Sequence, residues 1–203
     1  MNTATRRLLA FGTGFLALTL APLSSGCSSG FKGTSASYAI IDSIQAASGA
    51  SPDKLSGVLA SDVETKGGIM EDPGVVGFRL ALKDPGTAAS PTTPSTTNFI
   101  TFTRYHVNYI RSDGRNTQGV DVPYAFDGAM SVTVRDIAVS GTFTLVRVQS
   151  KLEAPLKALV GLGGAIVIST IAEVTFYGED QAGRAVSVTG RISVNFADWA
   201  DPT

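Results

Sequence analysis

The chain is poor in the side chains from which most catalytic and metal centres are built. Among 203 residues there is one cysteine, one histidine and one tryptophan. Zinc sites assembled from several imidazoles or thiolates are excluded by that count. With Cys27 as the sole thiol, no internal disulfide can form, and stability has to come from core burial. Charge is scarce too, at 16% of positions, and no run of five or more basic residues occurs. A polybasic patch for anionic lipid is therefore missing, as is the electrostatic footprint of a nucleic-acid binder. Long apolar runs are also lacking. The stretch Leu8 to Leu23 is about 16 residues with Gly12, Gly14 and Pro22 inside it, short of the roughly 20 that a membrane-spanning helix needs. No cofactor motif is present.

Hydrophobic residues make up 43% of the chain, with 22 glycines and nine prolines among many Val, Thr and Ser. That balance is sufficient for one ordinary globular domain built from short strands and turns. The amino terminus differs in character from the rest. Arg6 and Arg7 precede the apolar stretch, and Ser24, Ser25 and Gly26 follow it, which is the three-part layout of a secretory signal. Removing Arg6 and Arg7 from the 16 Lys and Arg leaves 14 against 17 acids, so the remainder carries a net charge of −3.

The segment Leu23-Ser24-Ser25-Gly26-Cys27 resembles the lipobox of bacterial lipoproteins, with Leu23 four residues before the cysteine. The resemblance covers residues 1 to about 30 only. It implies cleavage before Cys27, a diacylglycerol on the sulfur and a third chain on the new amino group, so that palmitate-type chains hold the protein to the envelope membrane. Each buried methylene contributes about 0.8 kcal/mol, and two or more chains hold firmly. Ser28 stands where inner-membrane lipoproteins often carry Asp, so the resemblance implies the outer membrane rather than the inner. Residues 1–26 are then a signal peptide, 27–37 a lipidated end and tether, and 38–203 the folded domain.

The clearest strand signal lies near the carboxyl end. In AIVISTIAEVTFYG the even positions Ile166 to Phe176 share one face, and in RAVSVTGRISVNF the even positions Val186 to Phe196 do so. Pairing residues whose numbers sum to 362 brings the apolar faces together, Phe176 against Val186 and Val174 against Val188, and leaves the loop 179–183. Further strands are expected at Tyr38 to Ala46, Leu55 to Glu64, Val75 to Lys83, Phe99 to Arg111, Ala129 to Val139 and Gly141 to Leu152. Asp84 to Asn98 reads as an exposed loop, Ser112 to Gln118 as a turn, and one short helix is expected after Pro155. The pattern predicts an all-β, antiparallel two-sheet sandwich, immunoglobulin-like in architecture, with about eight strands and at most one short helix.

Candidate functional residues are few. His106, flanked by Arg104 and Asn108 on one strand face, lacks a Gly-x-Ser-x-Gly turn to supply a nucleophile, and no catalytic residue is assigned. The acidic pairs Glu71-Asp72, Glu179-Asp180 and Asp198 with Asp201 read as solvated loop carboxylates; none has the EF-hand spacing, and no metal site is assigned. Gly161-Leu162-Gly163-Gly164 lacks the Lys-Ser/Thr of a phosphate loop. Tyr105, Val107 and Tyr109 lie on odd positions of their strand, whereas Ile100, Phe102 and Ile110 lie on even ones. Either the strand switches sheets through a bulge, or Tyr105 and Tyr109 face outward as a ligand-binding platform for a glycan or protein. Two function classes follow: a non-enzymatic, lipid-anchored sandwich that docks envelope proteins or glycans, and an envelope hydrolase using loop carboxylates.

Overall fold

The computed structural model describes residues 34–199. Cys27 with its preceding segment, and Asp201, lie outside the described residues. The described chain is all-β, two sheets packed face to face. Its long strands are β1 (Ser37–Ala46), β2 (Val58–Asp62), β3 (Asp72–Leu82), β6 (Ile100–Ile110), β7 (Phe126–Val134), β8 (Val139–Val146), β9 (Ile168–Asp180) and β10 (Ala185–Ala197). Between β3 and β6, β4 (Gly86–Thr87) and β5 (Ser90–Pro91) form a two-residue ladder inside the exposed loop. One sheet has the order β1-β3-β8 and the other β2-β10-β9-β6-β7. Every pairing is antiparallel except that of β2 with β10, which is parallel. The chain thus leaves the small sheet after β1 and joins the large one at β2.

The core is a row of rings drawn from both sheets. Phe78 of β3 stacks on Phe102 of β6 with centroids 4.8 Å apart, and meets Phe176 of β9 edge-on at 5.1 Å. Phe143 of β8 meets Phe176 edge-on at 5.4 Å. Such pairs contribute about 0.5–1.5 kcal/mol each beyond their burial, and here they tie sheet to sheet.

The β9–β10 hairpin has the expected faces but a different register. Val188 pairs with Phe176 and Gly190 with Val174, so partners sum to 364, two more than the apolar pattern alone suggested. The reason is the turn. Asp180, the last residue of β9, accepts the backbone N–H of Ala182 and of Arg184, both at 2.9 Å, and its own N–H donates to the Arg184 carbonyl at 2.9 Å. Gly183 supplies the positive φ of 75° that closes this shorter loop. Ile166, expected on the strand face, precedes β9 and is exposed.

Two boundaries also differ. The strand expected to reach Leu152 ends at Val146, and Val148–Leu152 forms the short helix α1, followed by a single 3-10 turn at Leu156–Leu159 where a helix was expected. Within α1, Lys151 reaches the Asp72 carboxylate in the core. The tether is also shorter than expected, since Ser35 and Ser37 are buried. Ser37 donates its hydroxyl proton to the Asn98 carbonyl at 2.6 Å, so the chain is already docked there.

Candidate functional site

The odd and even apolar residues of β6 are reconciled by a bulge. Between Phe102 and Arg104 the register slips by one residue against both neighbours, and against β9 the extra residue is Thr103. Ile100 and Phe102 point inward before it, and Tyr105, Val107 and Tyr109 after it. Gly178 lies opposite Phe102, where a Cβ would fall 2.1 Å from the Thr101 carbonyl oxygen. The bulge therefore needs a glycine on its partner strand.

This placement overturns the outward platform expected of Tyr105 and Tyr109. Tyr105 is 4% exposed and Tyr109 1%. Both hydroxyls cross the core to the backbone of β8: Tyr109 donates to the Leu145 carbonyl at 2.7 Å, and Tyr105 accepts the Thr144 N–H at 3.1 Å. Burial, with the Asp72 charge adding to it, holds the Tyr109 phenol well above its ordinary pKa. The two tyrosines are cross-sheet ties.

The acidic pairs are likewise not all solvated. Asp72 and Lys151 form an ion pair at 2.9 Å whose side chains are 0% and 1% exposed. The same carboxylate accepts the Ser61 hydroxyl at 2.6 Å and the Gly49 N–H at 2.8 Å. Desolvation raises the Asp72 pKa against the lowering by Lys151, Ser61 and Gly49. Ser61, at 0% exposure, is sealed from solvent and cannot meet a substrate. For Asp180, burial pushes the pKa up, but hydrogen bonds from the Arg184 and Ala182 backbone and the Ser35 hydroxyl, with the Arg184 charge, bring it below the usual carboxylate value. Asp198 accepts the Gly161 N–H at 2.6 Å. Glu71 and Glu179 stay exposed. Among the described residues no three His, Cys, Asp or Glu side chains gather as metal ligands would, and no helix is long and apolar enough to cross a membrane.

The most developed surface feature is the outer face of the five-stranded sheet beside the bulge. Arg104, turned outward by the extra residue, lays its guanidinium over the Tyr177 ring at 4.3 Å from the centroid. Its Nη1 also meets Asp127 at 3.0 Å, and the His106 Nδ1 reaches the same carboxylate oxygen at 3.3 Å. Next to this stack opens a depression of about 750 Å³ lined by Thr101, Thr103, Arg104, Tyr177, Glu179, Gln181 and Ser187. A second depression, of about 400 Å³, shares Thr101 and Gln181 with the first and continues over Thr96, Thr97, Thr133 and Arg135. Gln181 donates to the Thr101 hydroxyl at 3.2 Å, and Thr101 and Thr133 share a hydrogen bond of 3.0 Å. Sequence reasoning missed this groove. Its signal was the Arg104-x-His106 face opposite Tyr177, legible only once the bulge fixes which way β6 faces.

Comparison of the chain with protein-family models, curated proteins and solved structures returns no match.

Proposed function

We propose that this is a non-enzymatic, lipid-anchored protein of the bacterial envelope, acylated at Cys27 and held at the outer membrane rather than the inner, whose sandwich docks other envelope components, protein or glycan. The observation that carries the docking reading is the pair of adjoining depressions on the outer face of the five-stranded sheet, beside a bulge that leaves Arg104 over Tyr177. Bulges re-aim side chains next to functional surfaces. Of the loop acids that a hydrolase would draw on, Asp72 is committed to Lys151, and Asp180 to its own turn.

A lipid on Cys27 would keep the sandwich close to the membrane. Residues 27 to 34 reach at most about 25 Å when extended, and the chain enters the sandwich at the end where Ser35 bonds Asp180. The groove opens near that end, since Gln181 and Glu179 line it. The strand order reads in immunoglobulin lettering as A-B-E against A′-G-F-C-C′, which supports the immunoglobulin-like reading of the architecture while licensing no function by itself.

The test of the anchor is Cys27→Ser. Acyl labelling with a fatty-acid analogue is expected to vanish, and the protein to leave the membrane fraction while keeping its β-rich circular dichroism. Retention of the label at another residue, or a mature protein starting elsewhere than at Cys27, overturns it.

A further inference from the structure

We propose that the groove beside the β6 bulge binds a neutral oligosaccharide; this deepens the docking reading above and rests on it. Three features of the groove select that chemistry. The first is the lining. Thr103, Ser187 and the ridge of Thr101 with Gln181 offer hydroxyls and an amide, groups that donate and accept at once, as each sugar hydroxyl also does. Its apolar lining is limited to Ala185, Val186, Phe99 and the Tyr177 ring, which do not form the aromatic cluster that anchors protein–protein interfaces.

The second feature is the flat stack of Arg104 on Tyr177. The guanidinium is fixed from below by the ring at 4.3 Å and from the side by Asp127 at 3.0 Å. It presents a plane held on two sides, whose exposed N–H edge donates hydrogen bonds, so less side-chain entropy is lost on binding. The third feature is charge. Arg104 is set against Asp127, and Asp180, which also lines the groove, against Arg184 at 3.9 Å, so that Arg135 and Glu179, of opposite sign, are left. A neutral ligand fits this balance better than an anionic one. The groove crosses from β10 over β9 and β6 to β7, three strand spacings or about 14 Å, an extent suited to several sugar units in a row.

The bulge is what builds the site. Were Thr103 paired in regular alternation, Arg104 would turn inward, away from the outer face it shares with Tyr177. Gly178 opposite it admits no side chain.

The experiment uses the full chain purified from membranes in a detergent without a sugar headgroup, titrated calorimetrically with maltotetraose and with tetra-N-acetylchitotetraose. Saturable binding of at least one is expected. Tyr177→Ala and Gln181→Ala should each weaken it, the first by about tenfold or more, while Arg115→Ala on the distant 112–118 turn leaves it unchanged. Circular dichroism of each variant keeps loss of fold apart from loss of binding. Failure of both sugars to bind, or binding indifferent to Tyr177 and Gln181, overturns the proposal. Crosslinking in intact membranes separates the two levels of inference: a protein partner captured through Tyr177 or Gln181 refutes the saccharide and retains the docking role, whereas failure of Cys27→Ser to release the protein strikes the anchor alone.

Discussion

The two ends of the sandwich each bury a carboxylate, and they use it in opposite ways. At the end where the chain enters, Asp180 is surrounded by neutral donors, the N–H groups of Ala182 and Arg184 and the Ser35 hydroxyl, with Arg184 near by. At the far end Asp72 is set against a full charge, Lys151, with almost no solvent on either. Hydrogen bonds that cost no second desolvated ion lower one pKa below its ordinary value, whereas burial raises the other despite its counter-charge. The contrast shows that desolvation outweighs a counter-charge and two neutral donors at Asp72, whereas at Asp180 the hydrogen bonds and the Arg184 charge outweigh it.

The comparison can be broken most severely at Lys151. Lys151→Met leaves the Asp72 carboxylate buried without its cation and should cost about 3–5 kcal/mol in urea unfolding. Adding Asp72→Asn to that variant removes the stranded charge and should recover most of the loss, a coupling that a double-mutant cycle reads directly. If the single and double variants are equally unstable, the ion pair is not what α1 is tied to.

Smaller effects are expected at the tyrosine ties. Tyr109→Phe leaves the Leu145 carbonyl unsatisfied in the core and should cost about 1–3 kcal/mol. Tyr105→Phe deprives a half-buried N–H of its acceptor and should cost less. Equal losses would mean that the two hydroxyls do not differ as their surroundings do.

The mildest way to sharpen the contrast is by pH. The Asp180 pKa is lower in the fold than in the unfolded chain, so its stabilising contribution is present above about pH 4 and is lost as pH falls through the folded value. The stability gap between the wild type and Asp180→Asn should therefore narrow on acidification. Asp72 runs the other way. Its folded pKa is raised, so its ionised form weakens the fold above that value, and acidification relieves the cost. Denaturant midpoints from about pH 6 to about pH 3 give both signs, and a widening gap for Asp180→Asn would contradict the turn-holding role.

The faces of β9 and β10, and the all-β class, were legible because period-two alternation is a local signal that burial then enforces. Their register was not, because it was decided by a side chain, Asp180, whose hydrogen bonds to the turn outweigh the apolar match two residues away. The change of phase on β6 was visible as a conflict between Phe102 and Tyr105, yet its resolution depended on Gly178, 73 residues beyond Tyr105. Lys151 gave no sign of burial, since a lone lysine in sequence carries nothing that reveals a carboxylate 79 positions away. The groove was hidden for the same reason: its residues come from four strands and become neighbours only after folding.

The bulge at Thr103 makes this strand tolerant of losing one residue there and intolerant of losing one further along. Replacing Thr103 changes an exposed side chain and little else. Losing it would join Phe102 to Arg104 in plain alternation against β9, with Arg104, His106 and Asn108 still outside and Tyr105 and Tyr109 still inside. A deletion between Arg104 and Ile110 would instead exchange interior and exterior for the residues that follow it. In a lineage of such proteins, substitutions and gaps should both collect at Thr103, while gaps should be purged from the rest of the strand.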